Sequence, residues 1–281
     1  MTINQQTIDR HYQQQLDTDS IIERVHRHYP EGANLYQLAP LDQLHIGGIK
    51  ASERLLRHLD PVKHQQILDI GSGAGGLMRQ ASVLGCSMIG LDITHGLNRL
   101  NQGLNACFAQ KVDNPILTAD AHHLPFADIS IDLILFQHSF LNMPDDRQVL
   151  SECRRVLKPG GQLIMHEVVI GPNADALRFP VPWAEDAHHS HLLSQQVLAG
   201  RLKEAGFDAI EIDDWSDDAL AWRRRQLDKE QSGAPVKAPL SPAMVLGSRF
   251  ALMGRNLVSN LEQGAIRVVE AVAVAVAQAQ P

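Results

Sequence analysis

Aromatic residues are scarce in this chain: seven Phe, three Trp and three Tyr make up 5% of its 281 residues. A complete aromatic cage for a quaternary ammonium is therefore hard to assemble from them. Cysteine is scarcer. Cys86, Cys107 and Cys153 are odd in number and share no metal-type spacing, which argues against a disulfide scaffold or a zinc ribbon and predicts free thiols in a reducing cytoplasm. Basic charge is in deficit too. The formal net charge is -7 with a pI of about 6.0, which argues against a protein that grips nucleic-acid phosphates. The run Arg223, Arg224 and Arg225 lies close to Asp213, Asp214, Asp217 and Asp218 and reads as a mixed, solvated face. No apolar run approaches the roughly 20 residues that span a bilayer; the most apolar stretch, residues 268–277, contains Glu270. The polar start, Met1-Thr2-Ile3-Asn4-Gln5-Gln6, lacks a signal pattern. The expectation is a soluble, cytoplasmic protein without a membrane span. The length suits one large domain, or one with an added lobe. A homo-oligomer is compatible with everything above.

What is present is an alternation of short apolar runs with helical patterns. Residues 1–60 are rich in Gln, His and Tyr, with helical periodicity over 8–16 and 20–28. From residue 66 to about 169 the pattern becomes strand, glycine turn, helix. Strands are expected at 67–70, 87–92, 115–120, 131–136 and 162–169. A helix from the first glycine turn runs to Leu84 and stops at Gly85. Thr94 is placed to N-cap the next helix. Pro144, Asp145 and Asp146 open another, whose apolar residues Val149, Leu150, Cys153, Val156 and Leu157 fall at helical spacing before Gly160-Gly161. Further on, a helix is expected over 194–205 closed by Gly206, a strand over 209–212, a helix over 217–230, a proline-bearing loop over 231–242 and a β-type segment over 265–276. Strands alternating with helices imply an α/β fold, a doubly wound and mostly parallel sheet.

The chemically informative stretch is Asp69-Ile70-Gly71-Ser72-Gly73-Ala74-Gly75-Gly76. Its glycines let the backbone turn sharply and approach a ligand closely. They also satisfy G-x-G-x-x-G, so they do not by themselves separate S-adenosylmethionine (SAM) from a nicotinamide dinucleotide. Asp69 separates them. A carboxylate two residues before the first glycine would repel a pyrophosphate, whereas SAM presents an α-ammonium and a sulfonium there. The alternative is a solvated strand-end acid. Asp92 ends the second strand, about 20 residues after the glycines, where an acid accepts ribose hydroxyls. Asp120 ends the third, fitting either a carboxylate near an adenine amino group or a helix cap.

Together with Leu124-Pro125-Phe126 and Lys158-Pro159-Gly160-Gly161, these motifs resemble class I SAM-dependent methyltransferases over about residues 46–169. The resemblance is to the small-molecule branch that includes quinone-biosynthesis C-methyltransferases and sarcosine/dimethylglycine N-methyltransferases. It implies a seven-stranded sheet with an antiparallel last strand, which suits 265–276, and SAM as cofactor. It also implies that Asp69 and Gly71 hold the methionine end, Asp92 the ribose, and Asp120 with Ala121 the adenine. Gly73, Gly75, Ile93 and Gln137 are further cofactor-binding candidates. Residues 1–60 are expected to form a helical lid and 61–281 the Rossmann-like domain, with acceptor-side inserts at 170–192 and 217–262.

Methyl transfer asks the protein to orient, to dry the site and at times to remove a proton. The segment after the fourth strand borders the cofactor, making His138 the first candidate base and His45, in Asp42-Gln43-Leu44-His45-Ile46-Gly47-Gly48, the second; a structural histidine is the alternative for each. Tyr29 and Tyr36 could close over a substrate or be exposed helix tyrosines. Arg178 and Trp183 lie in a Pro-rich loop that could wall a pocket, with Arg178 pairing a substrate carboxylate, or simply be a rigid connector. His166 reads as core or strand-end packing. Among the 14 histidines, His122-His123 and His188, His189 and His191 cluster without ligand spacing, so no metal site is expected. The function expected is methyl transfer to a small molecule, amine or oxygen favoured, thiol or carbon open. The competing readings are a nicotinamide-dependent oxidoreductase, disfavoured by Asp69, and a SAM-binding protein without catalysis.

Overall fold

The computed structural model describes residues 16–231 and 238–276. The helix expected over 8–16 therefore lies outside the described residues except for its last position, and so does half of the loop expected over 231–242. Seven strands form one sheet: β1 (Ile67–Ile70), β2 (Ile89–Asp92), β3 (Ile116–Thr118), β4 (Ile131–Gln137), β5 (Leu157–Ile170), β6 (Phe207–Asp214) and β7 (Ile266–Ala275). Their order is β3-β2-β1-β4-β5-β7-β6. Neighbours from β3 through β5 pair in parallel, and β7 runs antiparallel between β5 and β6. This is the doubly wound sheet with an antiparallel last strand that the sequence predicts.

The alternation of side chains along each strand places two cores on the sheet. Leu68, Ile70, Ile134 and Phe136 join Val149, Leu150 and Cys153 of α6 (Asp146–Val156) and Leu198 and Leu202 of α7 (Gln195–Glu204) on one face. Ile67, Leu133, Leu135 and Ile164 meet Leu55 of α3 (Ile49–Leu56) and Met78 and Ala81 of α4 (Gly76–Val83) on the other. The parallel strands bury both faces, so they read in sequence as continuous apolar runs.

Residues N-terminal to the sheet supply α1 (Thr18–His28), α2 (Leu35–Asp42) and α3. A shared core of Ile21, Val25, Leu38 and Leu41 packs against Leu97, Leu100 and Leu104 of α5 (His95–Cys107). Past β6 come α8 (Ser216–Gln231), the short α9 (Ala243–Leu246) and α10 (Phe250–Glu262). The helix α10 has no counterpart in the sequence expectation, although Met253, Leu257 and Leu261 are buried at helical spacing.

Several boundaries differ from expectation. β3 ends at Thr118, two residues before Asp120. β5 begins at Leu157, so Lys158-Pro159-Gly160-Gly161 lies inside the strand's span, at a register shift against β4, rather than forming a turn ahead of it. Thr94 occupies the N-cap position of α5 but its side chain makes no capping bond. The three cysteines are free and buried. Glu270, the interruption in the apolar segment, is buried on β7, where Arg54 donates to it at 2.8 Å and His58 lies 3.1 Å away.

Candidate active site

Where strand order reverses between β1 and β4, the loops leaving the strand ends separate, and a crevice opens there. This structure has a cleft of about 210 Å³ at that place, lined by the ends of β1, β2 and β4 and the segments that follow them. The turn after β1 is set by its glycines. Gly71 has φ of 75°, and a Cβ built there would overlap the Ser139 side chain. Gly73 has φ of 52° and nothing within 4 Å of the Cβ position, so its backbone faces open space. Its N–H donates to Asp92 Oδ2 at 2.9 Å, and Thr94 N–H donates to Oδ1 at 2.8 Å. Gly75 caps α4 in the left-handed conformation but does not line the cleft.

Asp69 lies at the cleft, buried, and burial together with the nearby Asp92 charge pushes its carboxyl up to about 7. An acid so placed is stabilised by a cation arriving beside it. Ile93, Asp120, Ala121 and Gln137 also line the cleft. Asp120 is engaged locally: His122 N–H donates to its Oδ1 at 3.0 Å, and His122 Nδ1 is 2.6 Å from the same oxygen. Gln137 meets Ser52 Oγ through both ends of its amide, at 3.3 and 3.2 Å.

Three imidazoles gather at the β4–β5 side. His138 stacks on His166 with centroids 5.1 Å apart, and His45 stands edge-on to them at 5.9 and 6.3 Å. Burial pushes His45 down to about 3 and His166 to about 4, and lowers His138 well below its ordinary value. All three are neutral in physiological buffer. His166 Nε2 donates to the Ile46 carbonyl and His45 Nε2 to that of Gly48, each at 3.0 Å. His138 differs: its φ is 53°, and its buried Nε2 has no hydrogen-bond partner. Asp42 Oδ1 and Ser72 Oγ, from two other lining residues, are likewise buried without partners.

Trp183 lines the cleft, but Tyr29, Tyr36 and Arg178 do not. Tyr36 is 74% exposed and Tyr29 packs against the α1–α5 core. Arg178 has its backbone clamped by Asn260, at 2.8 and 3.0 Å. Among the described residues no group of three or more His, Cys, Asp or Glu is placed to hold a metal, and no helix is long and apolar enough to cross a membrane.

Two features escaped the sequence. Glu167, buried on β5, accepts from the Ser139 and Phe140 N–H groups at 2.8 and 2.9 Å, and burial pushes it up to about 8. Arg79, in α4, is fully buried and paired with Asp42. The signal for the first is the adjacent polar pair His166-Glu167 inside an apolar strand, one residue for each face of the sheet.

The methyltransferase domain family matches residues 68–165, a span that holds the cleft's glycine turn, Asp92, Asp120 and His138. A demethylmenaquinone methyltransferase from Thermotoga maritima is 35% identical over 181 residues, 57% of this chain and 77% of that protein. The chain belongs to the SAM-dependent methyltransferases. Other relatives of this methyltransferase include the methyltransferase GfsG of Streptomyces halstedii, 29% identical over 185 residues, 63% of this chain and 65% of that one. In fold it is similar to phosphoethanolamine N-methyltransferase 2 of Haemonchus contortus in complex with phosphomonomethylethanolamine and S-adenosylhomocysteine. That likeness has a TM-score of 0.74 at 18% identity and covers 99% of this chain and 61% of that one. The chain thus spans just under two thirds of these last two proteins. SAM is the methyltransferase's cofactor, and the cleft fits it: Asp69 offers a carboxylate to an ammonium, and Gly73 leaves room for close approach.

Proposed function

We infer that this methyltransferase methylates a small-molecule acceptor at oxygen or nitrogen, with His138 taking the acceptor's proton. SAM supplies an electrophilic methyl group. In this reading Asp69, Gly71 and Gly73 receive the methionine end, Asp92 and Ile93 the ribose, and Asp120, Ala121 and Gln137 complete the cofactor's surroundings. The carrying observation is His138 Nε2, a neutral imidazole nitrogen buried at the cleft without a partner. A left-handed φ at a non-glycine residue persists where the surroundings impose it, and such strain gathers at working sites. His45, whose Nε2 is engaged by Gly48, serves better to orient His138 than to accept a proton. Relatives that bear the names of O-, N- and C-methyltransferases support methyl transfer to a small molecule. Of the lid expected over residues 1–60, residues 1–15 lie outside the described residues; in this reading the described remainder, which brings Asp42, Leu44 and His45 to the cleft, acts as the lid, and the described parts of 170–192 and 217–262, which contribute Trp183 and Val245, shape the acceptor side.

The deciding test pairs S-adenosylhomocysteine binding with turnover in His138→Ala. Unchanged binding with a rate loss of about 10²–10⁴ supports the base assignment. Unchanged rates would leave His138 structural, and an active-site-intact protein that methylates nothing would favour a non-catalytic SAM-binding role.

A further inference from the structure

The acceptor's own chemistry can be read from the charge of the cleft, an inference that rests on the methyl-transfer reading. Of the four carboxyl groups that line it, Asp42 is paired with Arg79 and Asp69, Asp92 and Asp120 are taken up by the cofactor in that reading, and among the described lining residues there is no Lys or Arg. Flanking His138 along the lining segment are Gln137, Ser139 and Asn142, and the neutral ring of His45 stands beside it. None of them carries charge. The cleft's apolar lining includes Leu141, Met143 and Pro144 after β4, Pro182 and Trp183 after β5, and Leu246 from α9.

An acceptor carrying a carboxylate or phosphate would give up its hydration on entering and find no compensating cation among these lining residues. Arg178, the cation that the sequence offered for such a group, stands outside the cleft. An amine acceptor is cationic in neutral water and, fully methylated, becomes a permanent cation. For that product the described lining supplies one Trp and neither Phe nor Tyr, short of an aromatic cage. A hydroxyl compound avoids both difficulties. It is uncharged on entry; its oxygen would bond to the methyl carbon as the methyl–sulfur bond of SAM breaks, its proton would pass to His138 and on to solvent, and an uncharged methyl ether would leave with the thioether S-adenosylhomocysteine.

We propose that the acceptor is an uncharged, largely apolar hydroxyl compound, such as a hydroxylated ring, and not a carboxylated, phosphorylated or cationic amine.

The test uses the full chain saturated with S-adenosylhomocysteine and four probes of matched ring size: 2-naphthol, 2-naphthoate, 2-naphthyl phosphate and 2-naphthylmethylammonium. Calorimetric titration should show 2-naphthol binding about tenfold or more tightly than each charged analogue. Leu246→Arg, which puts a cation on the half-buried wall, should raise affinity for the two anions by about tenfold. Equal or tighter binding of any charged probe, or no binding of 2-naphthol to protein that holds S-adenosylhomocysteine, overturns the proposal. Failure to bind S-adenosylhomocysteine, measured first and separately, is the distinct failure of the methyl-transfer reading and removes this inference with it.

Discussion

Arg79 Nη2 lies 2.9 Å from Asp42 Oδ2 in an ion pair with side-chain exposures of 0% and 2%. The pair ties α4, directly behind the glycine turn, to the end of α2. Arg79 also donates to the Ala74 carbonyl within that turn, and to Asn101 and Asn105 of α5 at 3.1 and 2.6 Å. Burial pushes Asp42 up and Arg79 down, so at each end desolvation outweighs the attraction. Breaking such a pair from one side costs about 3–5 kcal/mol. Asp42→Ala should therefore lower the urea midpoint substantially, and Arg79→Met should do so while also weakening S-adenosylhomocysteine binding. Unaltered midpoints in both variants would contradict this.

If Asp69 receives the methionine end as proposed, cofactor capture should depend on pH. With its carboxyl pushed up to about 7, it is mostly protonated below that pH and ionised above it. The free enzyme should bind SAM well above pH 7, and kcat/KM for SAM should fall about tenfold per unit below it. Binding near pH 6.5 should release a proton, visible as a buffer-dependent heat. Asp69→Asn should remove both the limb and the proton release. A wild-type profile flat from pH 6 to 8 would refute the assignment.

Gly71 and Gly73 should respond differently to alanine. Gly71→Ala drives a Cβ into Ser139, a clash with the scaffold itself, and should depress thermal stability. Gly73→Ala meets no protein atom within 4 Å and carries only the strain of its positive φ, so the fold should survive with a loss of about 1–2 kcal/mol. Its added methyl would instead occupy space next to the cofactor. Thermal shift with S-adenosylhomocysteine reads both effects, and an undiminished shift in Gly73→Ala would place the cofactor elsewhere.

Glu167 titrates higher in the fold, at about 8, than its ordinary 4.5. The folded chain then holds more protons than the unfolded one across that window. Stability is fully present below about 4.5 and is lost as pH rises through about 8, by roughly 1.4 kcal/mol per unit within the window. Glu167→Gln retains an oxygen for the Ser139 and Phe140 N–H groups and should flatten this slope, making the variant the more stable protein at pH 8.5. Parallel denaturation curves for the two proteins between pH 5 and 8.5 would argue against it.

Local chemistry made much of this legible in the sequence. The β1 run, the glycine turn and Asp92 signal their positions at the cleft within a few residues, because a buried parallel strand and a sharp glycine turn each constrain composition directly. Contacts between distant segments left no such trace. Nothing around Arg79 distinguishes it from a surface arginine until Asp42 is folded over it. Likewise, nothing around Tyr36 or Arg178 reveals that one faces solvent and the other stands outside the cleft. His166 was expected in the core and is there, but its stacking on His138 and the backbone bond from His138 N–H to its carbonyl at 2.9 Å depend on the pairing of β4 with β5.

The strand β7 also governs how the chain can be made. Its partners β5 and β6 both precede it in sequence, and β6 has no other neighbour in the sheet. Until residues 266–275 leave the ribosome, β5 has one bare edge and β6 has two. Synthesis therefore cannot complete this sheet strand by strand. A nascent chain arrested after α10 would expose open edges that invite pairing with other chains, so truncations that spare every lining residue of the cleft would still forfeit the enzyme.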